Sequence, residues 1–168
     1  DLDGLMFNTE ELYQIVGAEL LRRRNCEFTA PLLDAVMGRP SHVSLQIMID
    51  WHRLDATVGE LEAEQDAIFA ELLDTRLAPM PGLFELLAAL EQAGIPKAIG
   101  TGSPRAFVVD VLSRFDLEPR FEFLLTAEDV SQGKPDPETY RTACQRLGCP
   151  PVRVMVLEDS ENGCRSAV

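Results

Sequence analysis

Asp1-Leu2-Asp3-Gly4 sets two carboxylates two residues apart with a glycine behind them. In an extended segment, side chains at i and i+2 share a face, so at a strand's end one carboxylate can attack while the other handles a proton. A carboxylate nucleophile implies acyl-phosphate or ester chemistry. Asp and Gly also build ordinary turns, so the reading of this quartet rests on what the rest of the chain brings to it.

Outward from the quartet, the pattern from about Thr9 to Arg76 is almost entirely helical, opening with Leu12, Ile15, Val16, Glu19 and Leu20 at spacings of three and four. Further helices are predicted near Ser41 to His52 and Val58 to Leu73, with a break at Gly38-Arg39-Pro40. After Pro79-Met80-Pro81-Gly82 helix and strand alternate. A helix carries Leu83, Leu86, Leu87 and Leu90, and Ile95 to Gly100 reads as a strand. Another helix carries Phe107, Val108, Val111, Leu112 and Phe115 and leads to a strand near Phe121 to Thr126. A helix over Pro137 to Leu147 and a strand over Val152 to Leu157 complete the series. Such alternation predicts an α/β fold, a doubly wound parallel sheet with helices on its faces. The all-helical block is then an insertion after the first strand's end. The expected division is residues 1–9 and 80–168 for the sheet domain and 10–79 for the insertion, with possible hinges at its two junctions.

Ligands of open parallel sheets bind beyond the carboxyl ends of the strands, and each predicted strand end here carries chemistry. The strand ending near Gly100 runs into Thr101-Gly102-Ser103-Pro104, where backbone N–H groups and a hydroxyl can hold an oxyanion at a helix start. The strand near Phe121 leads to Gly133-Lys134-Pro135, with one of the two lysines of the chain set between turn residues. The last strand ends in Glu158-Asp159-Ser160, adjacent acids before a helix. Capping accounts for the Ser and acid positions taken singly. One reaction uses all of them: phosphoryl transfer to a carboxylate, in which a divalent ion on hard oxygen ligands, Mg2+, balances the charge and Lys134 with the Thr101 hydroxyl completes the cradle.

Composition narrows the classes. The 168 residues are 46% apolar, as in an ordinary globular domain with room for one sizeable core and a satellite. A formal net charge of -13 argues against nonspecific nucleic-acid binding. Cys26, Cys144, Cys149 and Cys164 show no CxxC spacing, and with His42 and His52 they make no zinc set. Scattered thiols suit a cytoplasmic protein. No stretch approaches a membrane span. The chain is expected to be a portion of a longer one, because a nucleophile at residue 1 implies a strand before it and the final NGCRSAV reads as an unfinished helix.

DLDGLMFNT, TGS, GKPDP and LEDSENG, in that order, resemble the four motifs of haloacid dehalogenase (HAD) superfamily hydrolases, and the likeness spans nearly the whole chain. It implies a Rossmann-like core with an inserted helical cap. It also implies an aspartyl-phosphate nucleophile at Asp1 and a proton donor and water activator at Asp3. The implied Mg2+ is held by Asp1, the backbone carbonyl at Asp3, and Asp159, with Glu158 supporting it directly or through water. Thr101, Gly102 and Ser103 match the phosphate-binding loop and Lys134 the charge-balancing lysine. An Asp at the second position suits a phosphatase rather than a dehalogenase, because an alkoxide leaving group needs a proton.

The helical insertion, PGLFELLAALEQAGIP and KPDPETY resemble the branch of beta-phosphoglucomutase and small sugar-phosphate phosphatases. Mutases of that branch use a His shortly after the first motif and a cap Lys. Here the first position is Tyr13, and residues 10–79 contain no Lys, which favours a phosphatase. Arg39, in Met37-Gly38-Arg39-Pro40-Ser41-His42, is the candidate for gripping a second anionic group, with a surface turn arginine as the plain alternative. His52 beside Trp51 reads as cap packing. The expected protein is a monomeric, Mg2+-dependent phosphatase of a small phosphate ester, with no nucleic-acid or membrane partner. A phosphohexomutase is the near alternative. A phospho-receiver module or a non-catalytic descendant is more distant, since receivers lack the insertion and a descendant is expected to lose one of Asp1, Asp3, Lys134 or Asp159.

Overall fold

The computed structural model describes residues 1–37 and 39–168. Two compact units divide them: Asp1–Asn8 with Ala78–Val168, and Thr9–Leu77. Gly38, part of the expected break, lies outside the described residues.

In the first unit, Leu2 and Phe7 are fully buried, and Gly4 adopts a left-handed φ of 68° that turns the chain between them. The Met6 N–H donates to the Leu2 carbonyl at 2.9 Å across that turn. The quartet is therefore a turn as well as an acidic pair. The two passages of the chain into this unit are stitched together, with the Asn8 N–H donating to the Ala78 carbonyl at 3.1 Å, the Ala78 N–H to Asn8 Oδ1 at 2.8 Å and the Met80 N–H to the Met6 carbonyl at 2.8 Å.

The strands of this unit are β1 (Ile99–Gly100) and β2 (Leu124–Leu125), paired in parallel with Ile99 opposite Leu124 and Gly100 opposite Leu125. Their hydrogen bonds run on at both ends, from the Glu122 N–H to the Lys97 carbonyl at 2.9 Å and from the Thr101 N–H to the Leu125 carbonyl at 2.9 Å. β1 starts later than the expected Ile95 because the Ile95 N–H is drawn back to the Leu90 carbonyl and Pro96 has no N–H to give.

The expected strand over Val152–Leu157 is a correction. Pro151–Arg153 form a 3-10 turn, and no strand follows among the described residues. The Arg153 and Val154 amides donate locally to the Pro150 and Pro151 carbonyls, leaving the segment's start without ladder donors. Val152 and Met155 are accordingly exposed.

The helices α5 (Leu83–Gln92), α6 (Arg105–Ser113), α7 (Glu138–Leu147) and α8 (Glu161–Ser166) belong to the same unit. α6 buries Val108, Val111 and Leu112, a helical stripe. On α5, Leu83 and Leu87 are buried but Leu86 is 43% exposed. At 100° per residue, Leu86 stands at the margin of the stripe that Leu83, Leu87 and Leu90 define. Glu91 near the end of α5 accepts from Arg120 at 2.8 and 2.7 Å and pairs with Lys97 at 2.9 Å. These bonds hold its carboxyl down to about 2.

The second unit is all helical: α1 (Thr9–Arg22), α2 (Ala30–Val36), α3 (Ser41–His52) and α4 (Val58–Arg76). α1 buries Leu12, Val16 and Leu20, and α4 buries Leu61, Ile68, Leu72 and Leu73. A capping box of Thr57 and Glu60 starts α4. Arg24 grips Glu64 at 2.5 and 3.1 Å and ties the end of α1 to α4. Gly17 accommodates Phe28, whose ring would stand 3.1 Å from an added Cβ. Tyr13 stacks on Phe69, centroids 4.4 Å apart, which gives the ring an intrahelical-unit packing role. Among the described residues, no helix is long and apolar enough to cross a membrane.

Candidate active site

Asp1 is held by its own backbone, whose nitrogen donates to the Leu157 carbonyl at 3.0 Å. That contact sets the first carboxylate beside the segment leading into Glu158 and Asp159. With Leu2 buried between them, the Asp1 and Asp3 side chains leave the same side of the segment.

Asp3 meets the loop after β1. Ser103 Oγ donates to Asp3 Oδ2 at 2.5 Å, and Thr101 Oγ1 reaches the same oxygen at 3.4 Å while accepting from the Ser103 N–H at 3.1 Å. Thr101 is 2% exposed. The Thr101 hydroxyl is thus engaged within the loop and with Asp3, and the shorter bond to that carboxylate comes from Ser103. Asp3 Oδ1 is buried without a hydrogen-bond partner. A buried acceptor left open is costly unless something else occupies it. Gly102 is exposed, with open space where a Cβ would stand.

Lys134, in the loop between β2 and α7, donates to Asp1 Oδ1 at 2.8 Å, to the Gly100 carbonyl at 3.1 Å and to Glu158 Oε1. Burial pulls its ammonium below the ordinary lysine range, against the opposing pull of Glu158. For Glu158, burial raises the carboxyl, and the hydrogen bonds from Lys134 and Tyr140 outweigh it, so the net direction is down. Asp159 is pushed up, first by burial and then by the charge of Glu158. The ammonium thus gives up more solvation than it recovers, while the Glu158 carboxylate gains from the pairing.

Asp1, Glu158 and Asp159 each offer a carboxylate oxygen, and these lie within 4.8 Å of one another. Hard oxygens of formal negative charge packed this closely suit a divalent cation of the Mg2+ or Ca2+ kind, and the open Asp3 Oδ1 adds a polar atom in need of a partner. The donor set fits such an ion.

The structure brings Asp3, Thr101 and Ser103 into one hydrogen-bonded group and Asp1, Lys134 and Glu158 into another, with Asp159 in the acidic cluster. Arg39 belongs to the other unit, where it is exposed on the turn between α2 and α3. Two participants escaped the sequence reading. Tyr140 on α7 donates its hydroxyl to Glu158 Oε1, and burial followed by that bond pushes its phenol well up. Gly163 on α8 lies against the Glu158 carboxylate so closely that an added Cβ would be 1.8 Å from Oε2. Both sit inside quoted motifs, ETY and ENG, but only distance shows that they converge on Glu158.

Gly163→Ala is expected to displace that carboxylate. Overpacking of this kind costs about 1–3 kcal/mol, and moving a carboxylate of the acidic cluster is expected to lower activity roughly tenfold or more. Melting and phosphate-release assays check this; unchanged values for both would show that Glu158 has room to move.

A profile of the family described as Haloacid dehalogenase-like hydrolase matches residues 1–168. The chain is 33% identical over 171 residues to the validoxylamine A 7'-phosphate phosphatase of Streptomyces hygroscopicus subsp. limoneus, covering 99% of this chain and 78% of the relative. It is 30% identical to a phosphorylated carbohydrates phosphatase of Thermotoga maritima, covering 99% and 77%. Among solved structures, a candidate beta-phosphoglucomutase from Thermotoga maritima superposes with a TM-score of 0.85 at 28% identity, over 99% of this chain and 77% of that one.

Proposed function

Since the chain belongs to the haloacid dehalogenase-like hydrolases and its relatives are phosphatases, we propose that it hydrolyses the phosphate ester of a small metabolite, a sugar phosphate, through an aspartyl phosphate on Asp1. The observation that carries this is Lys134, whose ammonium bridges Asp1 and Glu158 at the edge of the acidic cluster. An anionic nucleophile cannot approach an anionic phosphoryl group unless positive charge is placed between them.

Asp1 attacks phosphorus, and the ester oxygen departs with a proton from Asp3, leaving an acyl phosphate on Asp1. Water then attacks that phosphorus while Asp3 takes back a proton, and inorganic phosphate leaves with Asp1 regenerated. Ser103 and Thr101 hold Asp3 in place for both transfers. Lys134 neutralises Asp1 and the incoming phosphoryl oxygens. Asp1 and Asp159, supported by Glu158, would hold Mg2+, which when bound supplies the remaining charge balance. The free state of the cysteines suits a reducing, cytoplasmic setting.

The test is phosphate release from a panel of sugar phosphates and other phosphometabolites with Mg2+ and with EDTA. Turnover that requires the ion is expected on at least one sugar phosphate, and no release from any ester would sink the reading. The likeness to a candidate beta-phosphoglucomutase supplies the rival. Interconversion of hexose 1- and 6-phosphates without net release would favour a mutase, against Tyr13 and the absence of Lys in residues 10–79.

A further inference from the structure

Tyr140 is 9% exposed, and its hydroxyl donates to Glu158 Oε1, the oxygen that also takes the Lys134 ammonium. The Lys134 Nζ lies 5.1 Å from the centroid of the same ring. The ring edge packs on Gly100, where an added Cβ would stand 3.3 Å from Cε1. On the other side of the carboxylate, Ser160 Oγ donates to Oε2 at 3.2 Å, and Gly163 leaves no space behind it.

The last torsion of a glutamate is broad and roughly two-fold, and beside the Ser160 and Gly163 contacts at Oε2, Lys134 alone leaves Oε1 some freedom to swivel about their shared bond. A second donor on the same oxygen removes that freedom. A buried phenol needs one hydrogen-bond partner, and here that partner is a carboxylate of the acidic cluster.

Resting on the phosphatase reading above, we infer that Tyr140 is a positioning residue. Its hydroxyl orients Glu158 so that Oε1 holds Lys134 against Asp1 and the carboxylate keeps its place in the acidic cluster. Its ring face carries the ammonium, 5.1 Å from the centroid.

Tyr140→Phe keeps the ring and removes only the hydroxyl. Outer partners of metal-binding groups typically contribute about 10–100-fold in metal affinity or activity. Calorimetric titration of the substrate-free protein with Mg2+ is expected to show affinity weakened about tenfold. On the best substrate of the panel, kcat should fall by a similar factor with KM within about twofold. Glu158→Gln and the double variant close a cycle: if Tyr140 acts through Glu158, the double variant is no worse than Glu158→Gln alone.

A Tyr140→Phe protein that binds Mg2+ and turns over like the parent would overturn the inference, as would losses that add in the double variant. A variant that unfolds at the assay temperature would overturn it as well, since the hydroxyl would then serve the fold rather than Glu158. A parent protein that neither binds Mg2+ nor releases phosphate would instead remove the phosphatase reading, and the inference with it. A parent active in both assays beside an unaffected variant leaves that reading standing.

Discussion

Asp1→Asn lowers kcat for phosphate release by at least about a thousandfold, the scale on which removing a nucleophile acts. The amide has nearly the shape of the carboxylate but is too poor a nucleophile to form the acyl phosphate. The surroundings should hold, because Lys134 keeps its bonds to Gly100 and Glu158 and the backbone nitrogen of residue 1 keeps the Leu157 carbonyl. Removing one of several crowded carboxylates also relieves repulsion with Glu158 and Asp159. The melting temperature without Mg2+ is therefore expected to stay level or rise. Acid quenching during turnover of a phosphorus-labelled substrate should trap label on the parent and none on the variant. Equal turnover in the two proteins would remove Asp1 from the role of nucleophile.

Lys134→Met is expected to damage both the fold and the reaction. The lysine side chain is 12% exposed, and its partners Asp1 and Glu158 are 11% and 3% exposed. Breaking a buried pair leaves an uncompensated charge, typically a loss of roughly 3 kcal/mol or more. Methionine recovers part of that through its own burial and spares the cost of desolvating an ammonium. For the reaction, loss of one positioned cationic donor lowers kcat by about a hundredfold to a thousandfold.

The stability loss should depend on pH. In the parent, the Glu158 carboxyl lies below its ordinary value. Its contribution is present above the ordinary carboxylate range and is lost as pH falls through that lower value. Without Lys134, burial dominates and the carboxyl rises, so acidification protonates Glu158 and relieves the variant. The gap between parent and variant is expected to be largest near neutrality and to narrow in acid. Urea unfolding at neutral pH and near pH 5, compared with the parent, checks this. A pH-independent gap would mean that Glu158 finds another partner.

Much of the architecture is legible in the sequence because it is written in local periodicity. The spacing of Leu12, Val16 and Leu20 marks α1, Ser41 to His52 is read at its observed bounds, and the Val108, Val111 and Leu112 stripe marks α6. Periodicity fails where hydrogen bonds decide instead. Val152 to Leu157 has the apolar content of a strand, yet its first amides bond within a Pro150-Pro151 turn. The short helix α2 carries too few turns for a pattern to stand out. Leu86 belongs to a plausible stripe in the sequence, and only the packing of α5 shows it at the margin.

For the site, motif order by itself names Asp1, Asp3, Thr101, Lys134, Glu158 and Asp159, because a reaction of fixed chemistry draws on few residue types and the strand ends of a parallel sheet gather them at one edge. What motif order leaves open is which groups touch. Tertiary structure alone decides that Lys134 joins Asp1 to Glu158, that Ser103 makes the shorter bond to Asp3, and that Tyr140 and Gly163 close on Glu158. Those contacts join residues distant in sequence, over separations of a few ångströms that no spacing along the chain encodes. In the opening DLDG the sequence supplies the candidate groups, two carboxylates two residues apart beside a turn. Their different neighbours come from the tertiary structure, a buried ammonium on Asp1 and a pair of hydroxyls on Asp3, and the proposed division of labour rests on them.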